Sequence, residues 1–119
     1  MRPLIVIGNW KMNGNLESNQ DWIKIVARGM ESGMPSGRKF AVCPSFPYLS
    51  QCASLIKDHS LAFLSLGAQD VSAHFSGAYT GEVAASMLKE LSCQYVIVGH
   101  SERRQFHQEV DETVAAKAL

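Results

Sequence analysis

The sequence predicts an α/β fold built on parallel β-strands. Short apolar runs that suit strands buried on both faces alternate with stretches of helical periodicity. Four such strand-then-helix units follow one another, and no two runs are placed to form a hairpin. Parallel strands joined by right-handed crossovers follow from this order. Two architectures are consistent with this order of elements: a doubly wound sheet and part of an eight-fold barrel.

The predicted strands occupy residues 4–7, 40–43, 61–66 and 95–98. The first helix has Asn15 as its N-cap, and a turn containing Pro35 follows that helix. Pro44 and Pro47 lead into the second helix, where proline near a helix start costs little. Thr80 is the predicted N-cap of the third helix, over residues 82–91. A short charged helix starts at residue 101, and Asp111 is the predicted cap of the final one.

Composition limits the classes of function. The chain has 119 residues, of which 46% are hydrophobic, and 11 basic side chains balance 11 acidic ones. A neutral balance gives no indication of nucleic acid or an anionic membrane as a partner. The early aliphatic run 4–7 is too short to span a bilayer or to form a signal-peptide core, so a cytoplasmic location is expected. Three cysteines without metal-type spacing predict buried reduced thiols.

His100 is the first functional candidate. It lies between the predicted strand 95–98, ended by Gly99, and a helix that begins Ser-Glu-Arg-Arg. In α/β proteins, ligands bind at the carboxyl ends of the strands. The helix amino end disfavours an imidazolium and can donate an N–H to one ring nitrogen. A neutral imidazole would then offer its other N–H to a substrate carbonyl, a role that suits it better than holding a metal.

Two loops are further candidates. The polar, turn-rich segment 8–15 follows the first strand, and the connection from Gly67 to Gly81 is long enough to be functional or disordered. Its aromatic residues Phe75 and Tyr79 argue against disorder, so we interpret it as a contact arm. Neither a GxGxxG fingerprint nor a Walker loop follows the first strand, which disfavours a doubly wound nucleotide-binding module.

Three segments resemble the triosephosphate isomerase family. They are Gly8-Asn9-Trp10-Lys11-Met12-Asn13-Gly14, then Gly67-Ala68-Gln69-Asp70 with Gly77-Ala78-Tyr79-Thr80-Gly81-Glu82, and Val98-Gly99-His100-Ser101-Glu102-Arg103-Arg104. The resemblance spans the chain and implies a parallel (β/α)₈ barrel. A full barrel has roughly 250 residues, so residues 1–119 are expected to form a single, incomplete domain that supplies about the first four β/α units. The chain also ends inside a predicted helix.

The resemblance also implies an activity and roles for residues. The family interconverts dihydroxyacetone phosphate and glyceraldehyde 3-phosphate in glycolysis and gluconeogenesis, as a homodimer, with no cofactor and no metal. Asn9 and Lys11 match its substrate-binding pair, with the Lys11 ammonium facing the phosphate and the enediolate charge. His100 matches the electrophile. Glu102 matches an acid beside the site that assists proton movement and fixes Lys11.

The remaining implied roles concern the contact arm. Thr80 matches the tip residue that supports the Asn9 and Lys11 region of the partner subunit, so the homodimer is expected to form through the loop from Gly67 to Gly81. Arg103 and Glu82 are predicted to pair and anchor that loop. The family's catalytic glutamate, its mobile lid and its phosphate-binding backbone amides match no segment of this chain.

Plainer interpretations remain for each motif. A histidine after a buried strand can be a structural hydrogen-bonding group, Asn9 and Lys11 can belong to a solvated turn, and Glu102 and Arg103 can form a charged helix turn. For the whole chain, the alternative function is a catalytically inactive half-barrel that acts only in folding or assembly. Open strand edges at both sides of a four-stranded sheet would promote such association.

Overall fold

The computed structural model describes residues 2–33 and 36–119. Its strands are β1 (Leu4–Asn9), β2 (Arg38–Cys43), β3 (Leu64–Ala68) and β4 (Cys93–Val96). Its α-helices are α1 (Leu16–Gly29), α2 (Leu49–Asp58), α3 (Ala85–Glu90), α4 (Ser101–Phe106) and α5 (Asp111–Ala118), and a 3₁₀ turn (Phe46–Tyr48) precedes α2. Pro35, in the predicted turn after α1, lies outside the described residues.

The four strands form one parallel sheet in the order β1-β2-β3-β4. The prediction of a parallel sheet with helical crossovers is therefore confirmed. Consecutive order is the order of strands around an eight-fold barrel, whereas a doubly wound sheet reverses direction at a switch point. The sheet thus matches the first β/α units of a barrel.

The outer strands depart from the prediction that their runs are buried on both faces. In β1, Leu4 is 64% exposed and Ile7 is 48% exposed, and Val96 in β4 is 41% exposed. Within the described residues, β1 pairs only with β2 and β4 only with β3. Apolar periodicity correctly predicted that these runs are strands, but burial requires neighbours on both sides. Two strands are also shifted: β3 begins three residues later than predicted, and β4 begins two residues earlier.

The hydrophobic core lies between the sheet and helices α1, α2 and α3. Its buried members include Ile23 of α1, Leu49 and Cys52 of α2, and Val42 and Leu66 of the central strands. The amphipathic spacing of α1 and α2 directs these side chains toward the sheet. The core therefore fixes the carboxyl ends of β2 and β3, where the polar loops begin.

The cysteines are free thiols in this core region. Cys43 and Cys52 are buried, and Cys93 is partly buried. Burial raises the pKa of the Cys43 thiol to about 11, with a smaller effect from nearby Cys93, and burial raises the pKa of Cys52 to about 11. The prediction of buried reduced thiols is thus confirmed for Cys43 and Cys52.

One of the three predicted helix caps is confirmed. The Asn15 side chain accepts a hydrogen bond from the Ser18 N–H at 2.8 Å, and Ser18 Oγ accepts one from the Asn15 N–H. This reciprocal pair is a capping box that satisfies two otherwise free donors. Asp111 was predicted as a cap but is the first residue of α5, after Val110. Its carboxylate accepts a hydrogen bond from Arg104 Nη1 at 2.7 Å and caps no backbone N–H of α5.

Thr80 is not the cap of α3, which begins at Ala85 with Ala84 before it. The intervening residues are held in the preceding loop. The Glu82 N–H donates to Tyr79 O, and the Ser72 N–H donates to Val83 O at 2.8 Å. Gly81 has a φ of 91°, a left-handed conformation that interrupts helical geometry. The helix can begin only after these turns are complete.

Across residues 2–33 and 36–119, every helix is too short or too polar to cross a membrane.

Candidate active site

Polar side chains converge at the carboxyl ends of the strands. A cavity of about 450 Å³ is lined there by Asn9, Lys11, Met12, Ser45, Phe46, Gln69, Asp70, His100, Glu102, Arg103, Phe106 and His107. The chain reaches this cavity from β1, β2, β3 and the segment after β4. The structure therefore brings together Asn9, Lys11, His100 and Glu102, as the sequence predicted. It also adds Arg103, which was predicted only as an anchor of the contact arm. Thr80 and Glu82 do not line this cavity.

Lys11 is oriented by contacts at both its backbone and its side chain. Its φ is 56°, in the left-handed region, and its N–H donates to Asn9 Oδ1 at 3.0 Å. Its ammonium nitrogen lies 2.7 Å from Glu102 Oε1. The hydrogen bond from Lys11 lowers the pKa of the Glu102 carboxyl below its ordinary value. The predicted contact between Glu102 and Lys11 is present, and it joins the loop after β1 to α4.

His100 is the N-cap of α4, and its side chain accepts a hydrogen bond from a backbone N–H of the first helical turn. The Glu102 N–H donates to His100 Nδ1 at 3.1 Å. Glu102 Oε2 lies 3.8 Å from the same nitrogen, which is too long for a hydrogen bond. Because Nδ1 is an acceptor, a neutral ring carries its proton on Nε2. This is the geometry that the sequence predicted: one nitrogen held by the backbone and the other free to donate.

Arg103 does not pair with Glu82, so that prediction is wrong. The Arg103 Nε atom lies 2.5 Å from Glu109 Oε2 and 3.2 Å from Asp70 Oδ2. Glu82 instead accepts a hydrogen bond from Ser72 Oγ at 2.5 Å. The Arg103 guanidinium contacts Glu109, just before α5, and Asp70, just after β3. Glu82 contacts Ser72 within the loop that precedes α3. Glu82 therefore fixes the base of the contact arm without Arg103.

A largely buried ion cluster links Arg103 of α4 to Asp70, Glu109 and Lys117. Lys117 Nζ lies 2.8 Å from Asp70 Oδ1 and 2.7 Å from Glu109 Oε2, and the Lys117 side chain is only 9% exposed. Together with Arg103, these residues alternate two cations with two carboxylates. The second oxygen of Glu109, Oε1, is buried and has no hydrogen-bond partner among the described residues. The cluster ties β3, α4 and α5 into one support for the site.

Burial and pairing act in opposite directions on the charges of this cluster. Burial alone would raise the pKa of the Glu109 carboxyl, but hydrogen bonds from Lys117 and Arg103 outweigh it, so this pKa lies below its ordinary value. Burial alone would lower the pKa of the Lys117 ammonium, but hydrogen bonds to Asp70 and Glu109 raise it. Both residues are therefore held in their charged forms near neutral pH.

Replacing Lys117 by methionine is expected to destabilise the protein by roughly 3 kcal/mol, because it leaves buried carboxylates with only Arg103 for compensation. Urea unfolding of the complete protein measures this, with exposed Lys57→Met as the control, expected within about 0.5 kcal/mol of wild type. The raised pKa of Lys117 means that its contribution is present below about pH 10.4 and is lost as pH rises through the folded pKa.

The lowered pKa of Glu109 gives stability the opposite dependence on pH. Its contribution is present above about pH 4.3 and is lost as pH falls through the folded pKa. The stability difference between wild type and Lys117→Met should therefore be constant from about pH 5 to pH 9 and shrink outside that window. A difference that stayed equally large at pH 3 would contradict the assigned ion cluster.

Sequence reasoning did not assign Gln69, Asp70, Glu109 or Lys117 to the site. Gln69 and Asp70 belong to a motif that carries the family resemblance, and their place directly after a predicted strand is a signal that could have identified them. Lys117 meets Asp70 across 47 positions, and no local pattern indicates such a contact. Arg103 and Glu109 are six positions apart in sequence, and the turn between α4 and α5 brings their side chains into contact.

The outer part of the contact arm, residues 74–80, does not line the cavity. The His74 ring stacks on Tyr79 with centroids 3.7 Å apart, while the Phe75 side chain is 89% exposed. Thr80 is also exposed. Aromatic side chains are enriched where proteins contact one another, so Phe75 is available for such a contact.

Within residues 2–33 and 36–119, no group of three or more histidine, cysteine, aspartate or glutamate side chains is arranged to hold a metal ion.

Comparison with known proteins gives a consistent assignment. A family model described as triosephosphate isomerase matches residues 4–119. Proteins named triosephosphate isomerase from Polynucleobacter asymbioticus and Polynucleobacter necessarius are 87% and 81% identical over 119 residues, covering 100% of this chain and 47% of each relative. One from Cupriavidus taiwanensis is 53% identical and 46% covered. The chain thus spans about half the length of the curated relatives it matches.

Proposed function

Because the chain belongs to the triosephosphate isomerase family, we propose that it supplies the electrophilic half of a triose-phosphate isomerase site. The reaction interconverts dihydroxyacetone phosphate and glyceraldehyde 3-phosphate through an enediolate. One observation carries the proposal: a lysine ammonium and a histidine with a defined tautomer line the same cavity and are both bound to Glu102. Residues 1–119 form, on this proposal, the amino-terminal half of a single barrel domain.

The chemistry follows from the two side chains. Removing a proton from the carbon next to a carbonyl places one negative charge on the carbonyl oxygen, and a donor aimed at that oxygen lowers the barrier. His100 donates from Nε2, since its Nδ1 is already an acceptor. The Lys11 ammonium attracts the substrate phosphate and the developing charge. Asn9 holds the Lys11 backbone by its side chain and lines the substrate cavity beside it.

The general base and the phosphate-binding loop belong, on this proposal, to residues outside the chain. Two carboxylates line the described cavity, Asp70 and Glu102, and each is bound to a cation. Asp70 contacts Lys117 and Arg103, while Glu102 contacts Lys11. A base must be free to accept the substrate proton at hydrogen-bond distance. Neither carboxylate is free in that sense. Glu102 Oε2 lies 3.8 Å from His100 Nδ1, so on this proposal Glu102 assists proton movement only after its side chain moves to hydrogen-bond distance.

We propose that the contact arm pairs two subunits into a homodimer. The exposed Phe75 and Thr80 and the stacked rings of His74 and Tyr79 support this use. Thr80 would meet the Asn9 and Lys11 region of the partner subunit. The same proposal places the enzyme in glycolysis and gluconeogenesis in the cytoplasm.

An assay of the complete protein tests the activity. With dihydroxyacetone phosphate, we expect glyceraldehyde 3-phosphate to form at a rate that is proportional to enzyme concentration and insensitive to chelators. Sedimentation of the same sample should give twice the mass of the complete chain. A complete, folded protein without isomerase activity would contradict the proposed function, and a monomeric but active protein would contradict only the proposed dimer.

The second candidate function is a catalytically inactive assembly unit. It is favoured by the two outer strands, β1 and β4, each of which has one unpaired edge within the described residues. The polypeptide 1–119 prepared alone is expected to give no triose turnover above buffer, because it holds an electrophile and a cation without a free base. The complete protein is the positive control, and robust turnover by the purified, mass-verified polypeptide would refute this expectation.

A further inference from the structure

We propose that Gln69 is a positioning residue that holds the Lys11 backbone in a left-handed conformation and so aims the Lys11 ammonium into the cavity. This inference rests on the proposed isomerase function and adds a residue that acts through Lys11. The Gln69 side-chain nitrogen, Nε2, donates to Lys11 O at 2.8 Å and to Cys43 O at 2.8 Å.

The backbone of Lys11 needs such support. A non-glycine residue with φ near 56° brings its β-carbon close to the backbone, and the conformation is uncommon. The other described non-glycine residues with positive φ are Ser60, Ser92 and Gln108, which follow the ends of α2, α3 and α4. A left-handed residue is a common helix ending there. Lys11 ends no helix, so its conformation has to be maintained by tertiary contacts.

Both backbone groups of Lys11 are held by side chains. Its N–H donates to Asn9 Oδ1, and its C=O accepts from Gln69. The two hydrogens of one carboxamide group thus join the loop after β1 to the end of β2, from a position just after β3. The Trp10 N–H also donates to Cys43 O, at 3.1 Å. Three neighbouring strand ends are therefore fixed relative to one another at the residue that carries the cation.

Loss of the Gln69 contact would leave the Lys11 carbonyl without this donor. The backbone could then relax to a negative φ, which would turn the side chain away from Glu102. A displacement of about 1 Å at a catalytic group can reduce the rate by about 10²-fold. The Lys11 side chain is 52% exposed, so packing does not replace the lost backbone contact.

Gln51 offers a matched control. Its Nε2 donates to Leu16 O at 2.7 Å, and its Oε1 accepts from Asn19 Nδ2 at 3.0 Å. It is thus a second glutamine that ties a backbone carbonyl across the fold, but it connects α2 to α1 and does not line the cavity. A loss of stability caused by a missing carboxamide should appear in both the Gln69 and the Gln51 variants. A loss of activity that acts through Lys11 should appear only in the Gln69 variant.

The experiment compares Gln69→Met and Gln51→Met in the complete protein with dihydroxyacetone phosphate as the substrate. We expect Gln69→Met to lower kcat/KM by about 10²-fold and Gln51→Met to leave it within about twofold of wild type. In a Lys11→Met background, Gln69→Met should change kcat/KM by less than about threefold, because residues that act as a unit are not additive. If Gln69→Met does not fold, Gln69→Glu, which lacks both donors when ionised, is expected to show the same loss.

A crystal structure of the Gln69 variant makes the test independent of activity. We expect Lys11 to leave the left-handed region or its Nζ to lie more than 4 Å from Glu102. An unchanged Lys11, equal losses in the two glutamine variants, or full additivity with Lys11→Met would each overturn the inference. An inactive wild type would instead refute the proposed function, and the structure of the variant would still decide the role of Gln69.

Discussion

Replacing Lys11 by methionine is expected to lower kcat/KM for dihydroxyacetone phosphate by about 10³-fold, the upper range for loss of one group that stabilises transition-state charge. Methionine keeps most of the side-chain length but removes the ammonium. On the proposed mechanism, Lys11 faces both the bound phosphate and the enediolate, so kcat should fall and KM should rise. Steady-state kinetics of the complete protein measure both constants.

The control for Lys11 is Lys24→Met. Lys24 lies on the exposed side of α1 and does not line the cavity, so its loss should leave kcat and KM within about twofold of wild type. A Lys11→Met enzyme with kcat/KM within tenfold of wild type would show that the ammonium is not the cation that faces the substrate.

Replacing His100 by asparagine should reduce kcat by about 10² to 10³-fold with little change in KM. Asparagine is a favoured N-cap, and its side-chain oxygen can still accept the Glu102 N–H. The substitution therefore preserves the start of α4 and removes only the second ring nitrogen. The loss should fall mainly on kcat because the hydrogen bond from Nε2 strengthens as the carbonyl becomes an enediolate.

His59→Asn is the matched control for this substitution. His59 is exposed at the end of α2, outside the cavity. Thermal unfolding should show similar stability for the two variants and wild type. A large rise in KM with unchanged kcat would contradict the assignment of His100 as an electrophile, because it would mean that His100 binds substrate and transition state equally.

Local sequence patterns predicted those parts of the molecule that depend on near neighbours. Apolar runs predicted the four strands. Asn15 was predicted as a cap from its residue type and its position, and its partner Ser18 lies only three residues later. The same holds for His100, because a backbone N–H two residues later fixes its tautomer. The family motifs then supplied the contact between Lys11 and Glu102, which joins residues from two β/α units.

Contacts decided by competition between distant groups could not be predicted. Arg103 had several carboxylates within reach of α4, and only the fold shows that Glu109 and Asp70 bind it instead of Glu82. Threonine is a favoured residue type at helix caps, but Gly81 and the loop hydrogen bonds prevent a helix from starting after Thr80. The helix begins at Ala85 instead. The exposure of β1 and β4 likewise depends on their place in the sheet, which apolar periodicity does not encode.

The central claim is that Lys11 and His100 stabilise an enediolate, and solvent exchange tests it most directly. The complete protein is incubated with dihydroxyacetone phosphate in D₂O, and deuterium incorporation next to the carbonyl is followed together with formation of glyceraldehyde 3-phosphate. If both residues stabilise the enediolate, Lys11→Met and His100→Asn should slow exchange and isomerisation by the same factor. Exchange at the wild-type rate with slow isomerisation would contradict the account, because the two residues would then act only after the enediolate has formed.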